Sequence, residues 1–314
     1  MAESAALNLP GLAAPSRRLP FFVDVLRRLV REKPLGLVGA ILVVMFLIMA
    51  IAAPLIAPYG DAQLGAGRRL AGPSASNIFG TDNLGRDVFS RVVYGARVSM
   101  TIGFLAIFTS TLIAVTIGVL SGYFGGAIDI LAQRLVDAFM AFPALVFLIA
   151  VGGMFMDARI PGLPAQGLFS TRIVILIISL GLLFGVGSSR IIRGATLTVK
   201  SSTYVEAARA TGATHARLIF VHVLPNVMAP VITLATLGLG GVILAEAGLA
   251  FLGLSVPPDQ VTWGGMLRSE GRSFMVQAPW LAIFPGLALS LAVFGFNMLG
   301  DALRDLLDPR LRTQ

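Results

Sequence analysis

The sequence predicts an all-α, polytopic membrane protein whose chain crosses the bilayer six times. Of its 314 residues, 56% are hydrophobic and 13% charged, against roughly a quarter charged in an ordinary soluble domain. Six stretches reach the roughly 20 mostly apolar residues that a crossing helix needs. With their connections they fill the chain and leave no room for a large soluble domain.

The elements follow in order. Residues 1–34 form an N-terminal segment, of which Met1 to Pro20, rich in Ala, Pro, Leu and Arg, is expected to be mobile. From Phe21 to Lys33, Phe22, Val25, Leu26 and Leu29 recur at helical spacing against Arg27, Arg28, Arg31 and Lys33, the pattern of an amphipathic helix lying on a membrane surface. Residues 35–314 form the membrane domain. Its first span, 35–56, exceeds a signal-peptide core and reads as an uncleaved anchor. The others are read at 98–120, 130–151 with Pro143 inside, 173–192, 227–252 with Pro230 inside, and 280–299 with Pro285 near its start. Polar connections run over 57–96, 154–172, 193–226 and 253–279.

Charge supplies the orientation. Fifteen of the 24 basic residues fall on the side shared by both termini and the 193–226 connection, and nine on the other. The side richer in Lys and Arg is cytoplasmic, so both termini are expected there. The net charge of +8 accordingly reads as orientation in an anionic bilayer, with no nucleic-acid partner.

Several chemistries are excluded. The chain has no cysteine, hence no disulfide framework, thiolate metal site or cysteine nucleophile. The only lysines, Lys33 and Lys200, follow Glu32 and Val199 rather than a glycine-rich loop, so no P-loop binds nucleotide here. His215 and His222 both lie in the 193–226 connection, so no zinc or nickel cluster is expected along a span, and no metal site is assigned. An intramembrane hydrolase ranks lowest, because the chain has no cysteine nucleophile and no histidine in a span.

The 193–226 connection has a mechanical reading. Thr203-Tyr204-Val205-Glu206 matches a capping box, in which Thr203 accepts from the first free amides and Glu206 reaches back. Ala207, Ala208 and Ala210 extend that helix and keep its surface slim. Gly212 can take positive φ and end it, Thr214 can cap a second helix, and Leu224-Pro225 marks the return to the membrane. Three smaller features accompany it. Glu246 is the one ionisable residue deep in a span, a functional candidate by default; it either lines a route or is protonated or bonded to a neighbouring helix. Arg134 and Asp137, a turn apart, read as a structural ion pair. Gly181 and Gly185 share a helix face and suit close approach, either inside the chain or against another subunit.

The spaced pattern Glu206-Ala207-Ala208, Gly212, Leu224-Pro225 resembles the signature loop of importer-type ABC transporter permeases, with His222 where that pattern favours Ile. The segment Phe79-Gly80-Thr81-Asp82-Asn83-Leu84-Gly85-Arg86-Asp87, running on to Ser90-Arg91 and Tyr94 to Arg97, resembles the C-type permease of dipeptide and oligopeptide importers. So does Glu246 to Leu254 with Pro257-Pro258 and Trp263-Gly264. Nickel and glutathione importers share much of it. By residue chemistry alone, Gly80, Gly85, Asp82 and Asn83 favour tight turns, and the outer segment reads as a structural turn or a contact for a substrate-binding protein; the spacing of a calcium loop is missing.

The resemblance covers about Leu35 to the C-terminus and implies a type I ABC importer permease fold in a bacterial inner membrane. It implies one half of a heterodimeric pore for di- or oligopeptides, working with a second permease, two ATPase subunits that hold ATP and magnesium, and an extracytoplasmic peptide-binding protein. This chain would carry no cofactor. Closure of the ATPases would move the Glu206 loop and switch the cavity between inward-open and outward-open. The rival, an ATP-independent secondary transporter with Glu246 as proton relay, predicts several ionisable or unwound positions at mid-membrane, where the chain offers one.

Overall fold

The computed structural model of the chain describes residues 21–164, 166–257 and 260–307. The expectations for Met1 to Pro20, for Pro258 and for the tail with Arg310 and Arg312 lie outside the described residues, as do the side chains of Phe22 and Val25. Helix dominates, and the only β contact among the described residues is an isolated bridge between Thr81 and Asp87.

Helix α1, Phe21–Glu32, is amphipathic as its spacing predicts. Arg28 pairs with Glu32 one turn on, at 3.1 Å, and that hydrogen bond holds the Glu32 carboxyl below its usual range. Helix α2, Pro34–Ile51, starts on a proline whose missing N–H costs nothing at a helix N-terminus. It stops sooner than the predicted 35–56. Pro54 can neither donate to Ala50 nor clear that carbonyl, and the chain breaks at Ala52 before a single turn, α3, Ala53–Ile56.

Helix α4, Val88–Phe124, has 37 residues. At 1.5 Å per residue it is about 55 Å long and outreaches the bilayer core. The predicted 98–120 captured only its apolar part, because Arg91 and Arg97 interrupt the hydrophobic pattern without interrupting the backbone. The third predicted span is two helices, α5, Gly126–Met140, and α6, Ala144–Met154, bent by 81°. Pro143 lacks the N–H that would bond Phe139, and its ring disfavours helix at Phe142. A straight 130–151 span is therefore corrected to a broken one.

Helix α7, Thr171–Lys200, runs well past the predicted end at 192. It packs along α4 through small residues. A β-carbon on Gly181 would stand 2.6 Å from Thr109, and one on Gly185 would stand 2.6 Å from the Ser110 carbonyl. That resolves the Gly181/Gly185 alternative in favour of packing inside the chain. The same helix corrects the Arg134–Asp137 pair: Asp137 bonds Arg190 of α7, and Arg193 forks onto Asp129 at 2.6 and 2.5 Å. α7 lies beside α5 and presents its guanidiniums directly, while a pair on one helix must bend both side chains along the surface.

Helix α8, Thr203–Ala210, is followed by α9, which runs unbroken from His215 to Leu252. The 193–226 connection is therefore mostly the ends of two crossing helices, with α8 between them. A short helix, α10, covers Trp263–Met266 and continues through a wide turn over Leu267–Gly271. Helix α11, Trp280–Leu307, closes the bundle.

Among the described residues, five helices are long and apolar enough to cross a membrane, and the bent α5–α6 pair makes a sixth crossing if counted as one. Contacts define two ends of the bundle. At one, Lys33 bonds Asp305 at 2.5 Å and Tyr123 meets His215. At the other, residues 57–87 pack onto residues 260–281, where Arg86 reaches Glu270 and Trp280 reaches Thr81. Trp263, fully buried, packs edge-on to Phe46 and donates from Nε1 to the Val92 carbonyl at 2.9 Å.

Candidate functional site

The Phe79 to Asp87 motif is a set of tight turns in which every polar side chain but Asn83, whose Oδ1 is buried without a partner, is hydrogen-bonded. Gly80 and Gly85 take φ of +77° and +76°, which only glycine adopts without strain. A β-carbon on Gly80 would also stand 2.8 Å from Trp280 Nε1. Asp82 accepts at Oδ1 from the Leu84 and Arg86 amides, at 2.8 and 2.9 Å, and at Oδ2 from Arg86 Nε at 2.6 Å. Thr81 donates to the Arg68 carbonyl and accepts from the Ala71 amide at 2.9 Å. Asp87 caps α4, accepting from Ser90 N at 2.8 Å, Ser90 Oγ at 2.7 Å and Asn77 Nδ2 at 2.9 Å.

The same motif reaches across to a residue that the sequence did not single out. Glu270 Oε1 accepts from Arg86 Nη2 at 2.5 Å and from Arg91 Nη2 at 3.3 Å. Arg91 is 6% exposed. Phe79 stacks on Phe284 with centroids 3.9 Å apart, and Trp280 Nε1 donates to the Thr81 carbonyl at 3.1 Å. Glu270 sits in a polar connection of ordinary composition, and only its excess of buried partners distinguishes it.

Glu246 is 1% exposed. Ser255 Oγ donates to its Oε1 at 2.8 Å, and Oε2 makes no hydrogen bond. Ser255 lies just past Gly253, which ends α9 at φ +84°. The contact is with the segment that follows Glu246's own helix, which differs from the bond to a neighbouring helix that the sequence reading offered.

Next to these groups, the same end of the bundle holds a cleft of about 580 Å³ whose charged lining is Asp61, Arg86, Arg91, Arg172, Arg268 and Glu270.

At the opposite end, α8 stands between α7 and α9. The expected capping box is absent, because the helix starts one residue earlier than the pattern implies. Ser202 takes the cap position, but its hydroxyl donates back to the Val199 carbonyl at 2.6 Å. Thr203 becomes the first helical residue and Glu206 the fourth. Only Ser201 and Ser202 separate α7 from α8, so the serine is captured by the helix behind it.

The far end of α8 follows expectation. Gly212 has φ +86°, the Ala213 amide donates to Ala208 at 3.1 Å and the Gly212 amide to Arg209 at 3.0 Å, a Schellman closure. Thr214 caps α9, accepting from Arg217 N at 3.3 Å. Val205 is fully buried against Tyr123, Leu218 and Val223, which pins α8 down while Glu206 and Ala207 face outward and Ala208 is half-buried.

Leu224-Pro225 does not mark a break. Over Leu218–Val223 the helix widens to i→i+5 bonding, which gives room for a ring that cannot accept the normal register, and α9 continues through it. Tyr123 OH and His215 Nδ1 lie 2.9 Å apart, with Lys200 5.8 Å over the Tyr123 ring, linking α4, α7 and α9 at this end.

Comparison with known proteins identifies this architecture. Residues 114–313 match the family described as "Binding-protein-dependent transport system inner membrane component", and residues 20–73 match "N-terminal TM domain of oligopeptide transport permease C". The dipeptide transport system permease protein DppC of Alkalihalophilus pseudofirmus is 40% identical over 90% of this chain and 88% of its own length. The glutathione transport system permease protein GsiD of Escherichia coli O6:K15:H31 is 36% identical over 99% and 97%. A solved chain of the inward-facing MetNI methionine ABC transporter superposes with TM-score 0.54 at 17% identity, covering 69% of this chain and 96% of that one, which shows the fold. The chain belongs to the binding-protein-dependent ABC importer permeases, with the N-terminal segment of their oligopeptide C-type members. It is a multi-pass inner-membrane pore subunit.

Proposed function

We propose that the chain pairs with a second, non-identical permease to form the path of an ATP-driven importer of di- or oligopeptides. A separate extracytoplasmic protein delivers the peptide, and two ATPase subunits supply the work, holding ATP and magnesium. Both termini and α8 face the cytoplasm. The observation that carries this reading is α8 itself: a helix anchored by one buried residue, Val205, closed at Gly212, and presenting Glu206 and Ala207 outward between two long crossing helices. Force applied to such a helix passes directly into α7 and α9. The peptide substrate is supported by the relatives' names.

The test is purification followed by reconstitution. The chain should co-purify with an ATPase and a second permease, and liposomes carrying the assembly should take up dipeptide only with ATP and the binding protein. Uptake by the chain alone, driven by a proton gradient, would overturn the reading in favour of a secondary transporter.

A further inference from the structure

The cleft at the outer end is charged unevenly. Arg86 and Arg91 are tied to Asp82 and Glu270. Arg172 and Arg268 are not: among the described residues neither has a carboxylate within ion-pair distance, and Asp157 acts on Arg172 only from farther away. Both converge on Gly253. Arg172 Nη2 donates to the Gly253 carbonyl at 3.0 Å, and its Nε is buried without a partner. The Arg268 guanidinium fills the place where a β-carbon of Gly253 would stand, 2.4 Å from it.

Two guanidiniums are thus brought to one glycine, close enough to repel each other, and among the described residues the one hydrogen bond either makes is from Arg172 to the Gly253 carbonyl. An anion between them relieves that repulsion. Guanidinium forks match a planar carboxylate with paired, charge-assisted hydrogen bonds. The cleft volume of about 580 Å³ falls within the roughly 300–1,000 Å³ of small-ligand sites. Asp61 on its wall supplies the opposite sign that an amino terminus requires.

We infer that the Arg172–Arg268 end of this cleft receives the C-terminal carboxylate of the incoming peptide. The inference rests on the peptide-import reading above. It assigns recognition to a group that every unmodified peptide carries, whatever its side chains.

The test uses the importer assembly purified without its binding protein, with dialanine and its C-terminal amide as probes and saturation-transfer NMR as readout. The free acid should bind, and the amide should bind about tenfold more weakly. In R268Q, affinity for the acid should fall to that of the amide while the amide is unaffected, and R268K, which keeps the charge but loses the fork, should retain only part of the preference. Arg268 is exposed, and the acid-to-amide comparison needs no variant at all. Equal binding of acid and amide by the unmodified assembly overturns the site, as does an R268Q effect equal on both. Dialanine uptake by the complete importer separates this from the broader reading: uptake with equal acid and amide binding overturns the site alone, whereas absent uptake overturns peptide import itself.

Discussion

At the scale of single residues, Glu270 holds together the end of the bundle formed by the Phe79 to Asp87 motif. One of its carboxylate oxygens accepts from two guanidiniums, and Arg91, one of the two, is almost wholly buried. Removing one partner of a buried ion pair strands the other, at about 3–5 kcal/mol. Glu270→Ala should therefore destabilise the purified permease by about that amount in thermal unfolding, and Asp82, already engaged by two backbone amides and Arg86, can compensate only in part. A loss under about 1 kcal/mol would class the cluster with surface ion pairs. Glu246 offers the converse lesson. The sequence marks it as an acid among apolar residues, but its partner Ser255 lies beyond a left-handed glycine and comes back only because Gly253 reverses the chain.

At the scale of elements, α8 is positioned by its two boundaries rather than by its own composition. The Gly212 boundary can be tested in isolation, since a β-carbon there would meet nothing within 4 Å. The whole penalty of Gly212→Val is backbone strain at φ +86°, of order 1–3 kcal/mol. Combined with Glu206→Ala, which alters an exposed side chain that caps nothing, the variant should insert and pair normally. It should lose its ATPase subunits more readily on purification, or hydrolyse ATP with several-fold less uptake. Unchanged ATPase retention together with unchanged uptake per ATP would show that coupling passes elsewhere.

At the scale of the whole molecule, orientation is the testable property. Residues 57–87 and 260–279 gather at one end, and α8 lies at the other. Cysteines placed at the exposed positions Ser76 and Ser273 should react with an impermeant thiol reagent added to intact cells, and one at Ser201 should react only after permeabilisation. The absence of native cysteine makes the labelling unambiguous. Labelling confined to Ser201 would invert the topology.

The helical class, the five or six candidate crossings and the helix end at Gly212 were legible in the sequence, because each depends on local quantities. Apolar run length, the glycine at Gly212 and the basic bias are properties of neighbouring residues. Helix ends were read poorly wherever charge and backbone disagree: α4 extends ten residues beyond its apolar run because Asp87 caps it early, and α9 passes through Pro225 because the preceding turn widens. The capping box failed for a similar reason, since Ser202 had a competing acceptor in α7. Only the tertiary structure decided that Arg86 and Arg91 share Glu270, or that Arg172 and Arg268 meet at Gly253. Arg172 lies 81 positions from Gly253, and Arg86 and Arg91 lie 184 and 179 from Glu270, and nothing in local propensity records which distant connections a packed bundle brings to the same end.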